Sequence, residues 1–355
     1  TAAHMTPSFM MPLSYTQSLA ALLGPFILWF VLLMTTPSQI LADQLVPVVS
    51  LPWTALPGLL MIRWRTKQRA QTAERIEIDE HVKNLGDELS RARDVHESLF
   101  PRRFDGDICF NYAYDPMSEI GGDFVHVAIN KQSGTVSMTV LDVVGHGVVA
   151  ALTVNRMYGE IERIWAEHPH CTAGQLIALL NRYVRLTMSR HDLYATGACY
   201  QICSKDGQLS WASAGHPPAF LRREDGSVED LESTVMLLGV MEDDAFDSKT
   251  ESRILNPGDI VISYTDGAME ARNPQGEQFG LKQLREAAAF TPPPRNWSNF
   301  LSSAVRRHHE GQTEDDILVA TLMLRNLGTL HLSPTQAQPA ILEIGTSVDV
   351  AIPTP

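Results

Sequence analysis

Four short acidic signatures follow one another along the chain: EIGGDF at Glu119–Phe124, LDVVGHG at Leu141–Gly147, SYTDGAMEA at Ser263–Ala271 and TEDDILVA at Thr313–Ala320. Each sets an aspartate where an apolar, strand-like run meets glycines or polar residues, so each carboxylate belongs at a strand end or a turn. Carboxylates this far apart in sequence converge only in the folded protein. A cluster of hard oxygen ligands needs a cation to hold it together, and Mg2+ or Mn2+ suits it. No Cys/His spacing argues for zinc.

Taken singly, each motif is ambiguous. Asp266-Gly267 alone reads as a turn. The GGDF string resembles the diguanylate cyclase signature, but Phe124 stands where the second acidic residue belongs. The order of all four, with SAGHPPAF at Ser213–Phe220 and LNPGDIVI at Leu255–Ile262, resembles the SpoIIE-type branch of the metal-dependent type-2C serine/threonine phosphatases. The resemblance runs from about Leu99 to about Arg325.

That resemblance implies an α+β fold: two packed antiparallel β-sheets flanked by helices, with two metal ions, Mn2+ or Mg2+, at one edge. Asp142 matches the aspartate that bridges the metals, and the carbonyl of Val143 the group that completes one shell. Asp123, Asp266 and Asp315 match the remaining catalytic, metal-holding carboxylates. Asp316 stands where the wider family often has Asn and is expected beside the ligands. Gly122, Gly145, His146, Gly147 and Gly267 match the tight turns around them, His146 being either a catalytic acid or a turn residue. Two departures stand out. Val125 and His126 follow the Phe where Tyr-Asp is common, which removes an acidic group, and Leu318 replaces a Thr.

The implied chemistry is attack of a metal-activated water on phosphorus, between ions about 4 Å apart. It needs no protein nucleophile. Ser213, flanked by alanines rather than glycines, does not match a nucleophile elbow. The implied function is a phosphoserine/phosphothreonine protein phosphatase in bacterial signalling, acting on an anti-sigma-factor antagonist in a partner-switching pathway. The rival is a pseudophosphatase, a membrane-tethered scaffold that binds without turnover.

The formal net charge of −13 argues against a nucleic-acid partner. Cys109, Cys171, Cys199 and Cys203 lack redox or zinc spacing, and Cys199 and Cys203, on one face of an expected strand, read as buried free thiols of a reducing compartment.

The N-terminal region is a different material. Between Met5 and Ile62 the only charged side chain is Asp43. Leu13–Met34 is long and apolar enough to span a bilayer, and Leu45–Ile62 nearly so, although Pro47, Pro52 and Pro57 interrupt it. Arg63, Arg65, Lys67 and Arg69 follow, and such positive flanks stay in the cytoplasm. The expectation is a transmembrane hairpin in the bacterial inner membrane, a cytoplasmic catalytic domain, and possible contact with a membrane protein partner. Thr1–His4 reads as a tag remnant.

Beyond the basic flank, Ile78, Val82, Leu85, Leu89, Ala92, Val95 and Leu99 keep near-heptad spacing, which suggests a coiled coil that makes a homodimer. The chain therefore divides into residues 1–12, a membrane region 13–65, a linker helix 66–100, a phosphatase domain 101–326 and a disordered tail 327–355. Within the domain, strands are expected at Ile108–Ala113, Phe124–Ile129, Val136–Asp142, Ala195–Cys203, Leu209–Ala214, Ala219–Arg222, Ile260–Tyr264 and Ile317–Leu324. Helices are expected after the Gly145–Gly147 turn, after a Thr172/Gln175 capping box, and at Leu281–Ala289 and Asn296–His309.

Overall fold

A computed structural model describes residues 27, 31, 34, 41–145, 147–189, 193–309, 314–334 and 342–344. The chain separates into two units, Thr1–Asp87 and Glu88–Pro355. In the first, helix α1 (Leu41–Glu97) runs without a break through Pro47, Pro52 and Pro57 and ends inside the second unit. Among the described residues no helix is long and apolar enough to cross a membrane. The expected first span, Leu13–Met34, lies outside the described residues except for Ile27, Val31 and Met34. The linker is helical as its spacing predicts, and Ile78, Val82, Leu85, Leu89 and Val95 are exposed along it.

In the second unit, one sheet contains β1 (Phe104–Gly106), β2 (Ile108–Asp115), β7 (Ala219–Arg222), β8 (Val228–Leu231), β10 (Ile260–Tyr264), β11 (Ile317–Leu324) and β12 (Leu332–Pro334). Its order is β12-β1-β2-β11-β10-β7-β8, with every pair antiparallel. The other contains β3 (Asp123–Asn130), β4 (Thr135–Val143), β5 (Ala195–Cys203), β6 (Gln208–Ala214), β9 (Glu251–Ile254) and β13 (Leu342–Ile344), ordered β13-β3-β4-β5-β6-β9. It is antiparallel apart from its edge, where β13 runs parallel to β3. Both β12 and β13 fall in the segment expected to be a disordered tail. There β12 covers the otherwise open edge of β1, and β13 that of β3.

Two-residue periodicity sorts the side chains. On β11, Ile317 and Val319 pack into one apolar cluster with α5 (Gly280–Ala288) and α6 (Trp297–His309), whereas Leu318, Ala320, Leu322 and Leu324 enter the main core. Both faces of this central strand are thus buried. Over the second sheet lie α2 (Gly147–Glu167) and α3 (Ala173–Thr187). Helix α2 buries Val154, Met157, Ile161, Ile164 and Trp165 at helical spacing. Thr172 and Gln175 form the predicted reciprocal cap at the start of α3. Phe100 stacks on Tyr114 at 4.9 Å and meets Phe124 edge-on at 5.3 Å, which fixes the entry to the sandwich beside the first acidic signature.

Candidate active site

The register of β3 on β4 sets Asp123 directly opposite Asp142. Directly opposed residues of an antiparallel pair share a face, with Cβ atoms about 4.5–5.5 Å apart, and like charges there repel. Burial pushes the Asp123 carboxyl well above the usual carboxylate range, Asp142 pushes it further, and a hydrogen bond from Thr265 opposes both. Asp142 is raised to about 7, first by burial and then by Asp266, Asp315 and Asp316. Asp266 is raised by burial, then by Asp315 and Glu270. The charges acting most strongly on these three groups are all carboxylates. The structure therefore brings Asp123, Asp142, Asp266 and Asp315 to one edge of the sandwich.

Their supports come from the intervening loops. Asp266 opens the one-turn helix α4 (Asp266–Glu270) just after β10. Thr265 donates its hydroxyl to Asp123 Oδ2 at 2.6 Å, and that hydroxyl accepts the Leu318 amide at 3.0 Å. Asp316, buried, accepts the Met117 amide on Oδ1 at 2.8 Å and the Gly122 amide on Oδ2 at 2.6 Å. It therefore clamps both ends of the loop that leads into Asp123. A Cβ on Gly121 would overlap the Asp316 carboxylate and the Tyr114 hydroxyl, and one on Gly267 would overlap the Asp316 carbonyl oxygen. These two glycines are needed for close approach. Gly122 lies against the Val143 carbonyl oxygen, the backbone ligand that the resemblance implies. Gly145 and Gly147 turn with φ of 102° and 72°, whereas His146 between them lies outside the described residues.

Both departures from the family pattern spare this edge. On β3, Phe124 and His126 alternate with Asp123 and Val125, so His126 points to the helix layer. There its Nε2 lies 2.8 Å from Glu162 of α2, and its ring meets Tyr158. The acidic group expected to be lost from the site belongs to the opposite face. Leu318 serves the site only through its main chain: its amide binds the Thr265 hydroxyl, its carbonyl accepts the Thr265 amide at 3.0 Å, and its side chain is in the core.

Thr265 and Tyr114 were not singled out by sequence reasoning, although Thr265 immediately precedes Asp266 in the third signature. His216 of the SAGHPPAF run is likewise buried. Its Nδ1 lies 2.9 Å from Oγ1 of Thr196, which sits opposite Asp142 on β5, and burial lowers its imidazole to about 4, so it is neutral.

Among the described residues no group of three or more His, Cys, Asp or Glu side chains is arranged to hold a metal ion. The donor chemistry nevertheless fits a hard divalent cation. A buried and a half-buried carboxylate that face each other, with further carboxylates as their nearest charges, call for positive counter-charge.

The family model described as stage II sporulation protein E (SpoIIE) matches residues 132–325, more than half of the chain. Over 210 residues the chain is 26% identical to the phosphoserine phosphatase RsbU of Bacillus subtilis, covering 58% of this chain and 60% of that protein. Over 288 residues it is 25% identical to protein IcfG of Synechocystis, covering 73% of this chain and 44% of that one. The chain thus spans about half the length of these relatives. Its fold is similar to that of the SiaA-PP2C domain of Pseudomonas aeruginosa, with a TM-score of 0.60 at 18% identity, covering 68% of this chain and 98% of that domain. On the extent of the family match, the chain belongs to the stage II sporulation protein E (SpoIIE) family.

Proposed function

We propose that the chain is a metal-dependent phosphoserine/phosphothreonine protein phosphatase. The observation that carries this reading is the opposed pair of buried Asp123 and half-buried Asp142 at the sandwich edge, with Asp266 and Asp315 acting on Asp142. The name of the relative RsbU supports the substrate class. Asp123, Asp142, Asp266, Asp315 and the Val143 carbonyl would hold Mn2+ or Mg2+, two ions in our reading. Such ions supply Lewis-acid polarisation of a phosphate ester and acidify water. The chain's own residues do the rest. Asp316 holds the loop before Asp123, Thr265 holds the Asp123 carboxylate, and the neutral His216 meets the Thr196 hydroxyl. Cys171 and Cys199 are unsuited to act as nucleophiles, because burial pushes their thiols up to about 11 and about 12.

We further read the substrate as a phosphorylated anti-sigma-factor antagonist, and the chain as anchored in the bacterial cytoplasmic membrane with its catalytic unit in the cytoplasm. The support for the anchor is compositional: the apolar Leu13–Met34 run and the basic flank Arg63–Arg69. The exposed apolar stripe along α1 supports a homodimer. The test is hydrolysis of p-nitrophenyl phosphate and of a phosphoserine peptide by the full chain, with Mn2+ and with chelator. Turnover is expected only with the metal, and Asp142→Asn is expected to lose about a hundredfold or more. Metal-independent turnover, or an Asp142→Asn variant with parental rates at saturating Mn2+, overturns the reading.

A further inference from the structure

We propose that Thr265 is a positioning residue for the cation site, fixing the Asp123 carboxylate through a hydroxyl held between the two sheets. The inference rests on the metal-dependent reading above and deepens it. Thr265 follows β10 of one sheet, and Asp123 opens β3 of the other. The Leu318 amide of β11 donates to Thr265 Oγ1 at 3.0 Å, and Oγ1 in turn donates to Asp123 Oδ2 at 2.6 Å. A hydroxyl has one proton. With the Leu318 amide occupying an acceptor site, that proton goes to the nearer of its two acceptors, Asp123 Oδ2 at 2.6 Å rather than the Leu318 carbonyl at 3.5 Å. The backbone of Thr265 is pinned as well, because its amide donates to the Leu318 carbonyl at 3.0 Å. Thr265 is fully buried, so water is not at hand to replace its hydroxyl.

The bond is charge-assisted when Asp123 is ionised, the form that binds a cation, and it commits one oxygen of a carboxylate that has Asp142 directly across the ladder. Without the hydroxyl, repulsion from Asp142 is free to turn Asp123 away, and a cation must then reorient the carboxylate as it binds. The cost falls on cation affinity rather than on the reacting atoms. Ser at 265 supplies the same donor, whereas Val keeps the shape and removes it.

The experiment is Mn2+ titration by calorimetry on the full chain and on Thr265→Val, Thr265→Ser and Thr265→Ala, with turnover measured across Mn2+ concentration. Thr265→Val is expected to weaken Mn2+ binding about tenfold or more, with most of the rate recovered at saturating Mn2+. Thr265→Ser is expected to stay within about threefold of the parent. Thr265→Ala, which removes the hydroxyl without adding bulk, covers the case in which the valine variant does not fold, and a loss of similar direction is expected. Parental Mn2+ affinity in a folded valine or alanine variant overturns the role of Thr265 and leaves the phosphatase reading standing. So does a serine variant as weak as valine. Absence of Mn2+ binding by the parent chain overturns both.

Discussion

Asp316 offers the sharpest prediction, because sequence pattern and structure assign it different work. By family pattern Asn is tolerated there, so Asp316→Asn would be mild. The structure shows each carboxylate oxygen taking a different backbone amide, Met117 at 2.8 Å and Gly122 at 2.6 Å, in a buried site. An asparagine has one acceptor oxygen, so its NH2 group must face one of the two amides. A hydrogen bond to a charged group contributes about 1.5–3 kcal/mol. Part of this is offset, since Asp316 also repels Asp123 and Asp142. A net loss of about 1–2 kcal/mol follows for Asp316→Asn, and about 2–4 kcal/mol for Asp316→Ala, which leaves both amides without a partner. For a unit of this size that lowers Tm by roughly 2–8 °C in Asn and more in Ala. Thermal unfolding by near-UV circular dichroism in chelator isolates the clamp from any cation. Equal Tm for parent, Asn and Ala refutes the clamp. A loss seen only with Mn2+ present assigns Asp316 to the cation instead.

Other outcomes follow from the same edge and from α1. Gly267→Ala forces a Cβ into the Asp316 carbonyl oxygen, so a loss of about 1–3 kcal/mol is expected by thermal unfolding, together with reduced turnover. Asp123, Asp142 and Asp266 all have folded-state pKa values above the ordinary carboxylate range, so without cation the folded state binds more protons than the unfolded chain, and this contribution destabilises as pH rises from about 4 towards 7. Metal-free Tm should therefore fall less steeply with pH over that window in Asp142→Asn than in the parent; parallel profiles count against the repulsive cluster. Leu85→Asp combined with Leu89→Asp places charge on the exposed apolar stripe of α1, and sedimentation should show a weakened dimer; unchanged association removes the coiled coil.

The central strands were legible because their periodicity and glycine punctuation agree: β5, β7, β10 and β11 have the bounds the sequence suggests. The strand β9 (Glu251–Ile254) was not, since all four of its residues are exposed at a sheet edge and carry no alternation. The short β12 and β13 were hidden for a similar reason, as three residues are too few to show a period. At the site, the aspartates could be read because each breaks an apolar run beside glycines. Thr265 could not, because its importance lies in a contact with a residue 142 positions away. The His126 departure suggested the loss of an acidic group near the site, but strand alternation sends that position to the helix side, where His126 meets Glu162. The prolines of Leu45–Ile62 suggested interruption, whereas α1 is continuous there.

The face-to-face placement of Asp123 and Asp142 also bears on how the sandwich reaches its native pairing. Side chains alternate along a strand, so slipping β3 by one residue against β4 turns one aspartate to the helix side and leaves the other alone. The native register is then the electrostatically costly one while the chain assembles without a cation, and the slipped register escapes that cost. A divalent ion would remove that electrostatic cost, because only the native alignment sets the two carboxylates opposite each other. By mass action it would stabilise that alignment with the logarithm of its concentration once this exceeds the dissociation constant. The ion would thus act as a proofreader of strand alignment, and refolding yield should depend on its presence before β3 and β4 pair.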